Sequence, residues 1–153
     1  MTRLQGKVGD PVIKVHKINT TEDLERAKKI RYEVFVIGQH VPVEEELDQY
    51  ENESFHFIAF ANGVPCGAAR WRFTEKGIKL ERFAVLADYR GQGIGSALVE
   101  AVLDDIKNNP ESTGKPLYLH AQLEAMKLYG KFGFRKVGEL FQECDIDHYK
   151  MVR

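Results

Sequence analysis

The sequence predicts an α+β protein. Three observations carry this prediction. Asn62-Gly63 lies between two apolar runs and favours a hairpin, because both residues tolerate positive φ. A glycine-rich turn over residues 90–96 leads from a strand into an amphipathic helix. The elements follow in the order β, α, loop, β, β, β, α, β, α, β, β, and no internal repeat or linker interrupts them.

The first half of the chain predicts one helix and four strands. A first strand is expected over residues 11–18. The helix begins at Thr20, whose hydroxyl can cap it, and apolar residues follow at helical spacing as far as Phe35. Residues 38–53 are polar and acidic, which predicts a loop, with a short helix inside it as the alternative. The remaining strands are expected over residues 55–61, 64–73 and 78–86.

The second half predicts two helices and three strands. A helix with one apolar stripe runs from residue 94 to the Asn109-Pro110 pair. A shorter helix is expected over residues 122–131, with Gly133 as its stop. The strands are expected over residues 116–120, 135–140 and 147–152.

The composition sets limits on the class of protein. The 153 residues are 43% hydrophobic, which predicts one domain over residues 1–153 with a loose tail at residues 1–10. A net charge of -1 argues against a nucleic-acid partner, and no apolar run is long enough to predict a membrane span. Cys66 and Cys144 are too few for a disulfide framework, so we expect reduced thiols and a cytoplasmic location.

The glycine-rich turn predicts an anion site. Gly91, Gly93 and Gly95 permit unusual dihedrals and close approach, and the following helix adds unpaired N–H groups. Phosphate is the expected guest, with Arg90 adding positive charge at the rim. Ser96 replaces the third glycine of a dinucleotide fingerprint, and no Walker A lysine follows. A turn that only packs helix against sheet remains the structural alternative.

Arg90-x-x-Gly93-x-Gly95 resembles the pyrophosphate loop of the GNAT superfamily, the GCN-related N-acetyltransferases. Residues 81–86 look like the fourth strand of that family, and residues 125–134 look like its helix with the pattern A-x-x-x-Y-x-x-x-G-F. The resemblance extends over residues 12–152. It implies the GNAT fold, an α/β/α sandwich around a mixed, mostly antiparallel sheet that is splayed between strands 4 and 5.

A finer resemblance points to the ElaA-like branch of small bacterial acetyltransferases. It rests on residues 31–36, 119–122 and 139–148, together with the separate Gln39, Val41-Pro42 and Glu46-Leu47-Asp48. Asp145 stands where that branch usually has glycine, and Asp147 where it often has proline. These departures leave open the shape of the last turn.

The resemblance implies acetyl-CoA as cosubstrate, held largely by main-chain groups. Its pyrophosphate would lie on the glycine-rich turn, and its pantetheine arm would line the fourth strand. The implied cofactor-binding residues are Phe83, Ala84, Val85, Arg90, Gly91, Gln92, Gly93, Ile94, Gly95 and Ser96. No metal is expected, because Cys144 and His148 alone do not make a zinc site.

The resemblance also implies direct attack of an amine on the thioester. Tyr129 takes the place of the family's tyrosine near the sulfur and would protonate the leaving thiolate. His148 would be the base, since imidazole has an ordinary pKa of about 6.5. The structural alternatives are an aromatic packed on the sheet and a histidine bonded to backbone. Glu81 is a minor alternative base.

Arg31, Arg82 and His120 are the implied substrate-binding residues. Arginines at the first two positions hold an anionic acceptor elsewhere in the superfamily, so the expected acceptor is a small anionic primary amine. The structural alternative is ion pairing of these arginines with Glu46, Asp48 or Glu81. A non-catalytic acyl-CoA sensor and a protein N-acetyltransferase remain alternative functions, and a homodimer remains possible.

Overall fold

The computed structural model describes residues 9–153, so nearly all of the tail predicted at residues 1–10 lies outside the described residues. The strands are β1 (Ile13–Lys17), β2 (Phe55–Ala61), β3 (Val64–Thr74), β4 (Gly77–Val85), β5 (Leu117–Gln122), β6 (Arg135–Glu143) and β7 (Ile146–Val152). The helices are α1 (Thr21–Arg31), α2 (Val43–Glu46), α3 (Ile94–Lys107) and α4 (Met126–Gly130). A π-helical segment, Tyr32–Ile37, continues α1, and short 3₁₀ turns occupy several loops.

The seven strands form one sheet in the order β1-β2-β3-β4-β5-β7-β6. All neighbours are antiparallel except β4 and β5, which run parallel and pair only at Ile78 with Leu117 and Lys79 with Tyr118. Gly77 permits this single close approach, because a Cβ there would collide with the Pro116 carbonyl oxygen. Beyond these pairs the two strands separate. The predicted splay between strands 4 and 5 and the mostly antiparallel sheet are therefore confirmed.

Helices cover both faces of the sheet, which confirms the α/β/α sandwich. On one face α3 packs over a large apolar core that includes the fully buried Trp71, Leu80 and Leu98. On the other face α1 packs over a smaller core that includes Ala27 and Ile30. The N-terminal cap of α1 is as predicted, since the Asp23 N–H donates to Thr20 Oγ1 at 3.2 Å.

Element boundaries differ from the sequence prediction mainly in the second half. The helix predicted over residues 122–131 is a 3₁₀ turn, Leu123–Ala125, followed by the five-residue α4. β5 takes up Ala121 and Gln122, because it pairs with β7 as far as Gln122 with His148. β6 likewise extends to Glu143. These extensions depend on strand pairing, which a local pattern does not contain.

The two hairpin turns show how the departure at Asp145 is accommodated. Asn62 and Gly63 have φ of 50° and 81°, as the hairpin signal predicts. Cys144 and Asp145 have φ of 50° and 64° in the last turn. Aspartate tolerates the left-handed region better than most residues, so a tight two-residue turn forms without glycine.

Candidate active site

A cleft of about 840 Å³ lies where β4 and β5 part. One wall is formed by β4 and the segment that follows α1, and the other by β5, α4 and the β6–β7 turn. The glycine-rich turn closes one end of the cleft. The acidic loop around α2 covers the opposite end. Most of the predicted site residues converge on this space.

The glycine-rich end presents free main-chain donors. Gly91 and Gly93 have φ of 77° and 88°, values that favour glycine. Within the described chain, the N–H groups of residues 91–96 donate no hydrogen bond, and the first main-chain bond of the helix runs from Ala97 to the Gly93 carbonyl. Arg90 lies at the cleft, where its Nε donates to the Val85 carbonyl at 3.0 Å. This is the donor set that a diphosphate requires.

The unpaired edge of β4 supplies main-chain groups farther along the cleft. The Leu86 N–H donates to the Cys66 carbonyl of β3 at 2.9 Å. Because alternate residues of a strand direct their N–H groups to opposite sides, that of Val85 points toward the gap. Phe83, Ala84 and Val85 all line the cleft. An extended ligand arm can therefore pair with β4 here as an additional strand would.

Tyr129 of α4 lines the cleft beneath this edge. Its ring packs edge to face on Phe83, with centroids 5.7 Å apart, and near Phe134 at 6.4 Å. Burial raises the pKa of Tyr129, so the phenol keeps its proton at neutral pH. No residue among 9–153 hydrogen-bonds its hydroxyl group, which leaves the O–H as a donor to a ligand in the cleft.

His148 and His120 lie on the same cleft wall, with Glu143 between them. The His148 Nδ1 is 2.7 Å from the Ile146 carbonyl oxygen, and because a carbonyl only accepts, this nitrogen carries the hydrogen. The Nε2 of the neutral ring then has a free lone pair. His120 Nδ1 is 2.8 Å from Glu143 Oε2, and this hydrogen bond lowers the pKa of Glu143. The backbone-bonded alternative for His148 is thus true of Nδ1 but leaves Nε2 available.

Arg31 does not reach the cleft. Its side chain is 1% exposed, and its Nε donates to Glu46 Oε2 at 2.6 Å. Its two terminal nitrogens donate to the carboxylate of Glu51 at 2.9 and 2.6 Å. The guanidinium is therefore satisfied inside the protein, and the ion-pair alternative, not acceptor binding, accounts for Arg31.

Arg82 lines the cleft but is also engaged. It occupies a bulge of β4 with φ of 60°, and its Nη2 donates to Asp48 Oδ2 at 3.1 Å. The same nitrogen donates to the carbonyls of Glu45 and Glu46 at 3.1 and 3.3 Å. Its buried Nε lies 3.3 Å from Glu46 Oε2 without hydrogen-bond geometry to any described residue. Neither this Nε nor the Nη1 of Arg82 donates a hydrogen bond to a described residue, and the side chain is 22% exposed.

A buried arginine that the sequence analysis did not single out organises this end of the cleft. Arg70 of β3 is 0% exposed and binds the carboxylates of Asp48, Glu51 and Glu81 at 2.7, 2.5 and 2.6 Å. Burial alone would raise the pKa of these three carboxyls, but the neighbouring arginines outweigh it and lower their pKa values. Arg70 thereby ties the acidic loop to the sheet.

A pair of glutamines bridges the two walls of the site. Gln39 and Gln122 exchange reciprocal amide hydrogen bonds of 3.2 and 2.9 Å across the cleft. Gln92 and Ser96, two of the implied cofactor-binding residues, do not line the cleft. Within residues 9–153 no three His, Cys, Asp or Glu side chains are grouped so that they could hold a metal ion. No helix in the same range is long and apolar enough to cross a membrane.

The sequence analysis missed Arg70, Glu143 and the pairing of Gln39 with Gln122. In the sequence Glu143 appears only as part of the branch pattern over residues 139–148. Its place before the last turn, however, puts it near His148. Arg70 gave no local signal, since an arginine in an apolar strand is equally typical of an exposed position. Its partners lie 11 to 22 residues away in sequence.

A splayed sheet, a glycine-rich turn with free amides and a tyrosine at the gap together define an acyltransferase that uses acyl-CoA. The family model described as "Acetyltransferase (GNAT) domain" matches residues 20–153, so the chain belongs to the GNAT acetyltransferases. Its predicted class, an acetyl-CoA-dependent acyltransferase, is confirmed.

The relatives include a member of the predicted branch, ElaA. The chain is 38% identical over 133 residues to the uncharacterized N-acetyltransferase YjcF of Bacillus subtilis, covering 86% of this chain and 93% of that protein. The crystal structure of ElaA from Escherichia coli superposes with a TM-score of 0.80 at 25% identity, covering 93% and 99% of the two chains. The crystal structure of an acyl-CoA N-acyltransferase from Pseudomonas aeruginosa superposes with a TM-score of 0.78 at 28% identity, covering 94% of this chain and 99% of that one.

Proposed function

We propose that this protein transfers the acetyl group of acetyl-CoA to the primary amine of a small acceptor by direct attack. The observation that carries the proposal is the meeting, in one cleft, of free amides at residues 91–96, the open edge of β4, Tyr129 and His148. The first two would hold the cosubstrate, and the last two face the place where its thioester would lie.

Each chemical step has a residue of suitable properties. His148 Nε2 would take the proton of the acceptor ammonium, and the freed lone pair would attack the thioester carbonyl. A β4 N–H would stabilise the oxyanion. The C–S bond then breaks, and the leaving thiolate takes the phenolic proton of Tyr129, which burial keeps in place beforehand. The attacking nitrogen loses its second proton as the amide forms, and this proton restores the phenol.

The charge of the acceptor rests on Arg82 once Arg31 is excluded. We propose an acceptor with an acidic group that approaches Arg82, because this guanidinium lines the cleft and its side chain is 22% exposed. A cationic diamine or polyamine is the second candidate, because Glu44 and Glu45 line the same end of the cleft without an ion-pair partner among the described residues. The two cysteines are free, which fits the cytoplasmic location that stays a prediction.

The test is a thiol-release assay with acetyl-CoA and primary amines of three classes: anionic, neutral and polycationic. Tyr129→Phe and His148→Ala should each lower turnover by ~10²-fold or more, with acetyl-CoA binding little changed. Tyr118→Phe and His16→Ala are matched controls, since both residues lie outside the cleft. Binding of acetyl-CoA without thiol release on any amine would instead favour the sensor alternative. Activity confined to polyamines would contradict the role of Arg82.

A further inference from the structure

Glu143 places one carboxylate between two imidazoles on the wall of the cleft. Its Oε2 is 2.8 Å from His120 Nδ1, and its Oε1 is 3.8 Å from His148 Nε2. We propose that Glu143 is a positioning residue, which fixes the tautomer of His120 and stabilises His148 when that ring takes the acceptor's proton. The inference rests on the proposed function, in which His148 is the base.

Strand register brings the three side chains to one face of the sheet. His148 lies opposite Gln122 of β5, and His120 is two residues before Gln122 on the same strand. On the other side of β7, Phe141 lies opposite His148, and Glu143 is two residues farther along β6. Because side chains alternate with a period of two, all of these residues face the same way.

Phe141 packs against both imidazoles from the apolar side. Its ring stacks on His148 at 5.8 Å with an interplanar angle of 24°, and meets His120 edge to face at 5.1 Å and 80°. The rings are thus held by packing, while Glu143 provides the polar contact. Their orientation leaves His148 Nε2 directed toward the carboxylate and the cleft.

The hydrogen positions follow from the partners. A carboxylate only accepts, so His120 Nδ1 carries the hydrogen toward Glu143. His148 Nδ1 carries its hydrogen toward the Ile146 carbonyl. When the acceptor ammonium gives its proton to His148 Nε2, the new N–H faces Glu143 Oε1. The carboxylate stabilises the imidazolium by its charge and does not itself take the proton. The proton then leaves His148 for water, which reaches this site because Glu143 is 44% exposed.

Other charged groups also lie near Glu143, so a variant of this residue needs a control. Lys79 on β4 acts on Glu143 from the opposite wall. Cys144 and Asp145 follow in the turn, and Glu45 and Arg82 lie within electrostatic range of the Cys144 thiol. A general loss of negative charge must therefore be separated from the loss of this carboxylate. Glu139 on the same strand is exposed and outside the cleft, which makes Glu139→Gln the matched control.

The decisive measurement is the pH profile of kcat/KM for Glu143→Gln. Removal of the carboxylate makes the imidazolium less favourable, so the acid limb should move about half a pH unit toward lower pH, the effect of a solvent-exposed ion pair. The plateau should fall ~threefold to tenfold, with the KM for acetyl-CoA unchanged. Glu143→Asp should restore the limb, and Glu139→Gln should leave it in place. A lowered kcat with no movement of the limb would mean a merely structural role and would overturn the proposal.

A second readout does not need activity. The ring ¹⁵N NMR spectrum of the wild-type protein should show neutral His120 with its hydrogen on Nδ1, and Glu143→Ala should lose this preference. A wild-type His120 that carries its hydrogen on Nε2 would contradict the contact and with it the inference. If the wild type acetylates no amine, the proposed function fails and the role toward His148 fails with it. The ring spectrum would still decide the role toward His120.

Discussion

The two ends of the cleft are built in different ways. The end that would hold the cosubstrate consists mainly of main-chain groups from two adjacent stretches, residues 83–85 and 90–96. The acceptor end consists of side chains from the loop around α2, from β3 to β5, and from the β6–β7 hairpin. At the first end the donors are free, since the amides of residues 91–96 have no partner within the described chain. At the second, the cations that line the cleft are already paired with carboxylates or carbonyls.

Only the first kind of binding is independent of side-chain identity. Main-chain amides bind a diphosphate regardless of side chains, provided that glycines permit the conformation. Side chains that are already paired within the protein can bind an acceptor only through groups that the pairing leaves free. Here the groups left free are the partly exposed guanidinium of Arg82, the carboxylates of Glu44 and Glu45, and the unit of Glu143 with its two histidines.

The largest effect is expected from Arg70→Met. Removal of the buried guanidinium leaves Asp48, Glu51 and Glu81 without their shared partner, so the free energy of unfolding should fall by about 3–5 kcal/mol. Urea unfolding followed by the fluorescence of Trp71, the only tryptophan, measures it. Arg26→Met breaks the exposed pair with Asp23 and should cost about 0–1 kcal/mol. Equal costs would contradict the idea that the acceptor end depends on buried pairing.

Acid should weaken the same network. The pKa values of Asp48, Glu51 and Glu81 are lower in the folded protein than their ordinary values of about 4. Their contribution to stability is therefore complete above the ordinary values and is lost as the pH falls through the lowered ones. The urea midpoint should decline steeply below about pH 4 in the wild type and less steeply in Arg70→Met. A parallel decline in both proteins would show that the network does not cause the acid loss.

A pair of glycine variants sharpens the account of the cosubstrate end. Gly91 and Gly114 share a φ of 77° and open space for a Cβ, but only Gly91 lies at the cleft. Alanine should cost about 1–2 kcal/mol of stability at each, because both backbones are left-handed. Gly91→Ala alone should weaken acetyl-CoA binding ~tenfold in calorimetry, the loss of about one hydrogen bond to a charged group. If both variants bound acetyl-CoA equally well, the role of the turn in binding the diphosphate would be contradicted.

The smallest effect is expected at the bridge between the walls. Gln39→Ala removes the amide pair with Gln122 and should raise the KM for the acceptor ~threefold, while acetyl-CoA binding stays unchanged. Gln142→Ala breaks a hydrogen bond to Asp147 outside the cleft and serves as control. If Gln39→Ala changed acetyl-CoA binding but not the KM for the acceptor, the assignment of this amide pair to the acceptor end would be wrong.

Local signals predicted most of the fold. The Thr20 cap, the turn at Asn62-Gly63 and the positive φ of Gly93 follow from residue types at fixed spacing. The length of α4 was predicted wrongly, because its first residues form a 3₁₀ turn after β5. The splay itself came from the family resemblance, since no local pattern in β4 or β5 encodes where the two strands stop pairing.

Sequence alone determined the order of the elements, the hairpins and the turn with free amides, because each depends on dihedral preferences and periodicity within a few residues. Tertiary structure decided which charged side chains remain available. Arg31 and Arg82 look alike in the sequence, but one is 1% exposed and fully paired, whereas the other lines the cleft and is 22% exposed. The cause is that burial and hydrogen-bond partners 15 to 37 residues away decide whether an arginine stays available, and only the folded chain brings these partners together.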